Sequence, residues 1–217
     1  MMQEKPKLIY VYDALCGWCY GFSAVMHSLF EKYHHQFDFE VISGGMVLGD
    51  RQGPISESAE LIKSHYPKVQ ETSGAIFGDA FLAVLNEGSQ FQSSEKPAIA
   101  LCVFKSFEPH KVVLFAHDIQ IAKFIDGIDL NIDDNYLPLI SNYNISEKEF
   151  LEKLKSEEYK QNAYYDFALA RQLQVSGYPA AFIQTSERNF YMITKGYSDL
   201  ATMELRVENV LKETAKA

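Results

Sequence analysis

The stretch Leu8-Ile9-Tyr10-Val11-Tyr12-Asp13-Ala14-Leu15-Cys16-Gly17-Trp18-Cys19 decides how the chain folds. Its first five residues are an apolar run rich in β-branched and aromatic side chains, preceded by Lys5-Pro6-Lys7, and they predict a buried strand. From Trp18 to about His35, the residues Phe22, Val25, Met26, Leu29, Phe30 and Tyr33 recur at three- and four-residue spacing, as on one face of a helix. The cysteine pair therefore stands at a strand-to-helix junction. There the helix presents unpaired N–H groups and the positive end of its dipole, which favours a thiolate at Cys16. Two intervening residues bring the sulfurs within disulfide reach across the first turn. Cys16 would attack a substrate disulfide, and Cys19, one turn deeper, would resolve the mixed disulfide. The same spacing also suits half of a zinc site or two cysteines that merely pack. Zinc needs two more ligands, and neither Cys102 nor the six histidines supply a second pair at ligand spacing, so no metal is expected.

Outward from the motif, Phe37-Asp38-Phe39-Glu40-Val41-Ile42 alternates as a second strand, stopped by Gly44-Gly45. The first 45 residues thus read strand, helix, strand, with a helix long enough for a parallel crossover. Residues 46–158 differ. Helical patches are expected at Ser58 to Val69, Ala75 to Asn86, Pro97 to Lys105, Lys111 to Phe124 and Glu147 to Lys155, and strand-like alternation is scarce. Ser146 and Glu149 fit a capping box. From residue 159 the α/β pattern returns. A helix over Tyr159 to Gln174 carries Tyr165, Leu169 and Leu173 on one face. A hairpin follows, from Ala180 to Ile183 and Tyr191 to Ile193, and then a last helix capped by Ser198 and ending at Glu213. The predicted class is α/β. Its core is built from 1–45 and 159–217, and a mostly helical insertion occupies 46–158.

The bulk composition narrows the function. Asp plus Glu number 29 against 20 Lys plus Arg, and no basic stripe is present, so nucleic acid is not an expected partner. No apolar run reaches membrane-spanning length. The opening residues lack a signal-peptide pattern, so the chain as it stands is expected in the cytoplasm, or in the periplasm if a leader was removed. Three cysteines, two of them close together, suit a redox site rather than a stapled secreted fold.

Strand, Cys-Gly-Trp-Cys, helix, strand, helical block, then helix, hairpin and helix with Gly177-Tyr178-Pro179 before the hairpin: this order resembles the thioredoxin superfamily. It resembles most its DsbA-like branch, where a helical domain is inserted into a thioredoxin-like core. The opening LIYVYDALCGWCYGFS is similar to that branch's predicted protein-disulfide isomerase group. The resemblance implies a thiol–disulfide oxidoreductase of reductase or isomerase type that exchanges with protein or peptide thiols. It implies no bound cofactor, with glutathione as a candidate redox partner. It implies Cys16 and Cys19 as the redox pair, with Gly17, Trp18, Tyr178 and Pro179 at the substrate. Pro179 would be a cis-proline facing the cysteines, whereas the residues alone would make it an ordinary trans turn. Three features depart from better-known relatives. Gly17-Trp18 replaces Gly-Pro or Pro-His, Tyr10 stands where many carry a buried acid, and Tyr178 replaces Val or Thr, narrowing the groove or offering a hydroxyl to substrate.

Other residues read more plainly. Asp13 suits a surface or capping role, with proton transfer as the sharper alternative. Gly44-Gly45 suits a turn into the insertion. Cys102, in Ile99-Ala100-Leu101-Cys102-Val103-Phe104, reads as a small buried hydrophobe. His27, His65, His110 and His117 show no catalytic spacing, and Tyr159, Tyr164 and Tyr165 suit helix packing. Two other functions remain open. One is a glutathione-dependent transferase or isomerase acting on a small molecule, whose relatives usually carry serine where Cys16 stands. The other is a chaperone-like peptide-binding module using an apolar groove beside Trp18 and Tyr178.

Overall fold

The computed structural model describes residues 5–214. In chain order they form β1 (Lys7–Tyr12), α1 (Gly17–Tyr33), β2 (Asp38–Ser43), β3 (Gly53–Pro54), α2 (Ala59–Ser73), α3 (Asp79–Glu87), β4 (Phe91–Gln92), α4 (Glu95–Lys105), α5 (Val112–Phe124), α6 (Leu137–Ile140), α7 (Glu147–Leu154), α8 (Glu157–Gln172), β5 (Ala180–Gln184), β6 (Phe190–Lys195) and α9 (Leu200–Thr214), with short 3-10 turns between several of them.

The main sheet has the order β2-β1-β5-β6. β1 and β2 are parallel, in register from Lys7–Asp38 to Tyr12–Ser43, with α1 as the crossover between them. β5 runs antiparallel along the other edge of β1, and β6 antiparallel along β5. β1 is central, so both of its faces are covered, which is why it reads as an unbroken apolar run. Leu8, Tyr10 and Tyr12 face the larger core with Phe22, Met26 and Leu29 of α1. Ile9 and Val11 face the other way, against Ala170 of α8 and Phe182 of β5. The stripe predicted on α1 is the buried one, except that Phe30 is only partly buried and packs edge-on against Phe39, 5.3 Å between ring centres.

The middle of the chain carries the differences from expectation. It is mostly helical, yet β3 and β4 pair antiparallel in a two-stranded ladder. Two residues are too few for alternation to show in sequence. α3 begins at Asp79, four residues after the expected start, because the segment before it is extended and Phe77 enters a second core. That core gathers Tyr20, Ile55, Val69, Phe77, Phe81 and Phe124. Ser146 Oγ accepts the Glu149 N–H at 3.4 Å, the first half of the expected capping box. α8 begins at Glu157 with Ser156 as its cap, so a division at 158 cuts its first turn. The face of α8 that the larger core buries carries Tyr159, Ala163 and Phe167 rather than Tyr165, which is 68% exposed; Ala170 is buried against Ile9 and Val11 on the other side of the sheet, with Leu169 and Leu173 partly buried beside it. Tyr164 is 46% exposed, yet its ring meets Phe167 edge-on at 5.3 Å, so of the three tyrosines there Tyr165 is the one left to solvent. The last helix is capped by Asp199, whose carboxylate accepts the Thr202 N–H at 2.9 Å. Ser198 instead bonds Thr194 and Arg206. A carboxylate beside a helix N-terminus gains from the dipole as well as the hydrogen bond, which a serine does not.

Candidate active site

Cys16 is the N-cap of α1. Its backbone is extended (φ −88°, ψ 111°), and its sulfur accepts the Cys19 N–H at 3.3 Å. A serine or aspartate oxygen does the same work at ordinary helix starts. The interaction strengthens when the sulfur is an anion, because the donor belongs to the positive end of the helix. Cys19 lies one turn on and is fully buried, and both thiols are free rather than joined. Burial pushes the Cys19 thiol well above its ordinary value, and the hydrogen bond and charge of Cys16 push it further. The Cys19 carbonyl accepts from Tyr10 Oη at 3.3 Å, and burial keeps that phenol protonated.

The loop before β5 closes the site from the other side. The Tyr178–Pro179 bond is cis. The Cys16 thiol points at the Tyr178 carbonyl, 3.8 Å away. The Tyr178 hydroxyl is not offered to a substrate, contrary to one sequence expectation, because it donates to the Gly44 carbonyl at 2.7 Å. This corrects the view of Gly44 as only a turn residue: a Cβ there would sit 2.1 Å from the Tyr178 ring. Gly45 follows in the left-handed region at φ 70°. Gly44→Ala is therefore expected to displace Tyr178, cost about 1–3 kcal/mol as an overpacked contact does, and slow disulfide exchange. Denaturant melts beside turnover assays check both effects.

Asp13 is not a surface group. It is 1% exposed and accepts from Leu15 N at 3.0 Å, Met46 N at 2.7 Å and Ser94 Oγ at 3.0 Å. Burial raises its carboxyl above the ordinary value, while the three donors pull the other way. Its backbone carbonyl takes the Cys16 N–H at 3.1 Å and the Gln120 side chain at 3.5 Å. One residue thus ties the cysteine loop to β2's exit, to the start of α4 and to α5. Ser94 and Gln120 escaped the sequence analysis. Ser94 had the signal of a polar residue just before a helix, and Gln120 that of a polar residue on an apolar one.

Cys16, Gly17 and Trp18 line the mouth of a cleft of about 230 Å³ running between α1 and the second core. Trp18 is half-buried and approaches Tyr197, 6.3 Å between ring centres. Cys102 lies apart, buried in α4, and not among apolar atoms alone: its sulfur is 3.9 Å from Asp166, and burial with that carboxylate raises it to about 12. Among the histidines, His117 Nδ1 shares a 2.6 Å hydrogen bond with Ser23 Oγ, and His65 lines the cleft. No group of three or more His, Cys, Asp or Glu among the described residues is placed to hold a metal ion. No helix among them is long and apolar enough to cross a membrane.

Residues 7–208 match the family described as the DSBA-like thioredoxin domain. No curated protein matches the chain in sequence. Among solved structures, a putative protein disulfide isomerase from Nitrosomonas europaea is similar at 25% identity, with 97% of this chain and 99% of that one aligned and a TM-score of 0.84. The cytosolic disulfide reductase DsbM from Pseudomonas aeruginosa shares the fold at 20% identity, with 95% and 98% aligned and a TM-score of 0.79, and has also been solved with GSH.

Proposed function

Since the chain belongs to the DSBA-like thioredoxin domain family and is a thiol–disulfide oxidoreductase, we propose that it works by dithiol–disulfide exchange through Cys16 and Cys19 on protein or peptide substrates. Cys16 is the attacking thiol and carries the mixed disulfide. Cys19, held protonated by burial, attacks the Cys16 sulfur only once that sulfur is in the mixed disulfide and becomes electrophilic. The observation that carries this reading is the Cys16 sulfur at the N-cap of α1, accepting the Cys19 N–H while facing the Tyr178 carbonyl. Trp18 and Gly17 form one rim of the substrate site, and Tyr178 and Pro179 the other. Glutathione is the proposed small-thiol partner, as it was solved with DsbM. Residues 46–158 are proposed as a helical insertion between two halves of one core.

Trp18 is the only tryptophan and lies between the two cysteines, so its emission reports their state. In glutathione buffers of graded potential, a single reversible two-electron transition is expected. A midpoint near about −270 mV marks a reductase, and one near about −180 mV an isomerase. Thiols that stay reduced throughout the series, with unchanged emission, would refute exchange at this pair.

A further inference from the structure

The cleft beside Cys16 contains a positive charge without a counter-ion among the described residues. Lys123 of α5 lines it and is only 2% exposed. Its ammonium donates to the neutral Gln90 Oε1 and lies 5.9 Å from the centre of the Phe81 ring. Every salt bridge among the described residues is made by another lysine. The contrast with Lys105 is direct. Burial works to lower that residue too, but Asp166 at 3.2 Å and Glu40 at 2.7 Å hold it above its ordinary value. Burial pulls Lys123 down to about 8, opposed only by the more distant Asp129. A buried ammonium without a partner is costly, and an anion beside it recovers that cost.

The remaining wall is largely apolar, formed by Ile62, Tyr66, Phe77, Phe81 and Phe124. A cavity of about 150 Å³ takes benzene, so a cleft of about 230 Å³ has room for an aromatic-sized body with a short polar tail. We propose that the cleft is a subsite for low-molecular-weight disulfides whose thiol half joins an apolar, aromatic-sized body to a carboxylate, the body lying on Phe77, Phe81 and Phe124 and the carboxylate pairing with Lys123. This rests on Cys16 being the attacking thiol. The Cys16 thiolate attacks one sulfur of the substrate disulfide, the Cys16–S bond forms as the substrate S–S bond breaks, and one thiolate leaves. Cys19 gives its proton to solvent and attacks the Cys16 sulfur, closing the Cys16–Cys19 bond and releasing the second thiolate. The substrate gains two electrons, the cysteine pair loses two, and the two thiol protons pass to solvent or to the released thiolates.

The test mixes the reduced protein with dithiobis(nitrobenzoate), an aromatic disulfide with a carboxylate on each ring, and separately with neutral dithiodipyridine, following thiol release. Lys123→Met is expected to slow the first reaction about tenfold, the scale of one charge-assisted pair, and to leave the second within about twofold. Leu61→Glu, at the exposed rim of the cleft, is expected to slow the anionic reagent selectively by repulsion, and it decides the matter if Lys123→Met does not fold. Equal slowing of both reagents, or no slowing of either, overturns the subsite. Cys16→Ser reacting as fast as the parent protein with both reagents would overturn the assignment of Cys16 instead, a pattern the Lys123 and Leu61 variants do not produce.

Discussion

Cys16→Ser is expected to abolish disulfide exchange, lowering turnover by a factor on the order of 10⁴ or more, the scale on which loss of an attacking group acts. A hydroxyl can still cap α1 by accepting the Cys19 N–H, so the fold should survive while the chemistry is lost. Cys19→Ser carries the opposite signature. The attack by Cys16 proceeds, but nothing resolves the product, and the protein accumulates as a mixed disulfide with its substrate, visible as a mass increase that dithiothreitol reverses. Cys102 is buried beside Asp166, away from the cleft, and Cys102→Ser should leave turnover unchanged. Substantial exchange by Cys16→Ser, or trapping on Cys16→Ser rather than Cys19→Ser, would reverse the two assigned roles.

Asp13→Ala is expected to be the most damaging substitution outside the cysteine pair. It strands the N–H groups of Leu15 and Met46 and the Ser94 hydroxyl, all of which now end on one buried carboxylate. Each buried donor left without an acceptor costs about 1–3 kcal/mol, and water entering the space recovers part of the sum. A loss of about 3–5 kcal/mol follows, which for a chain of this size lowers the melting temperature by roughly 10 °C or more. Exchange should slow as well, because the Asp13 carbonyl holds the Cys16 N–H and its side chain sets the turn leading into it. Asp13→Asn should fall between the two, since its amide keeps one acceptor but turns a donor toward another donor. Calorimetry on the three proteins separates these outcomes. A shift below about 1 kcal/mol for Asp13→Ala would mean that the three bonds do not persist in solution.

The redox motif and its setting were legible because they are local. A strand, two cysteines at a spacing of three and a helical stripe lie within 27 residues, and each follows from side-chain periodicity or backbone capping. Pro179 was legible only through resemblance, since its place opposite Cys16 requires β5 to lie against β1 across more than 160 residues. Tyr165 and Ser198 were misjudged for a related reason. Apolar spacing marks a stripe without saying which neighbour covers it, and two adjacent polar residues compete for one cap. Asp13 was given a surface or capping role; it does accept the Leu15 N–H, but it is not at the surface, where an aspartate before a helix usually meets water. Its burial depends on Met46 and Ser94 arriving from elsewhere in the chain.

By itself, then, the amino-acid order determined the α/β class, the parallel pair around α1 and the candidate cysteines, all products of short-range backbone geometry and hydrophobic pattern. Only the tertiary structure decided that Asp13 is a buried hub, that the Tyr178 hydroxyl is consumed by Gly44, and that Lys123 faces an apolar cleft beside Cys16. Those outcomes depend on which groups lose water and which partners they find, and both are set by packing between segments that the sequence keeps far apart.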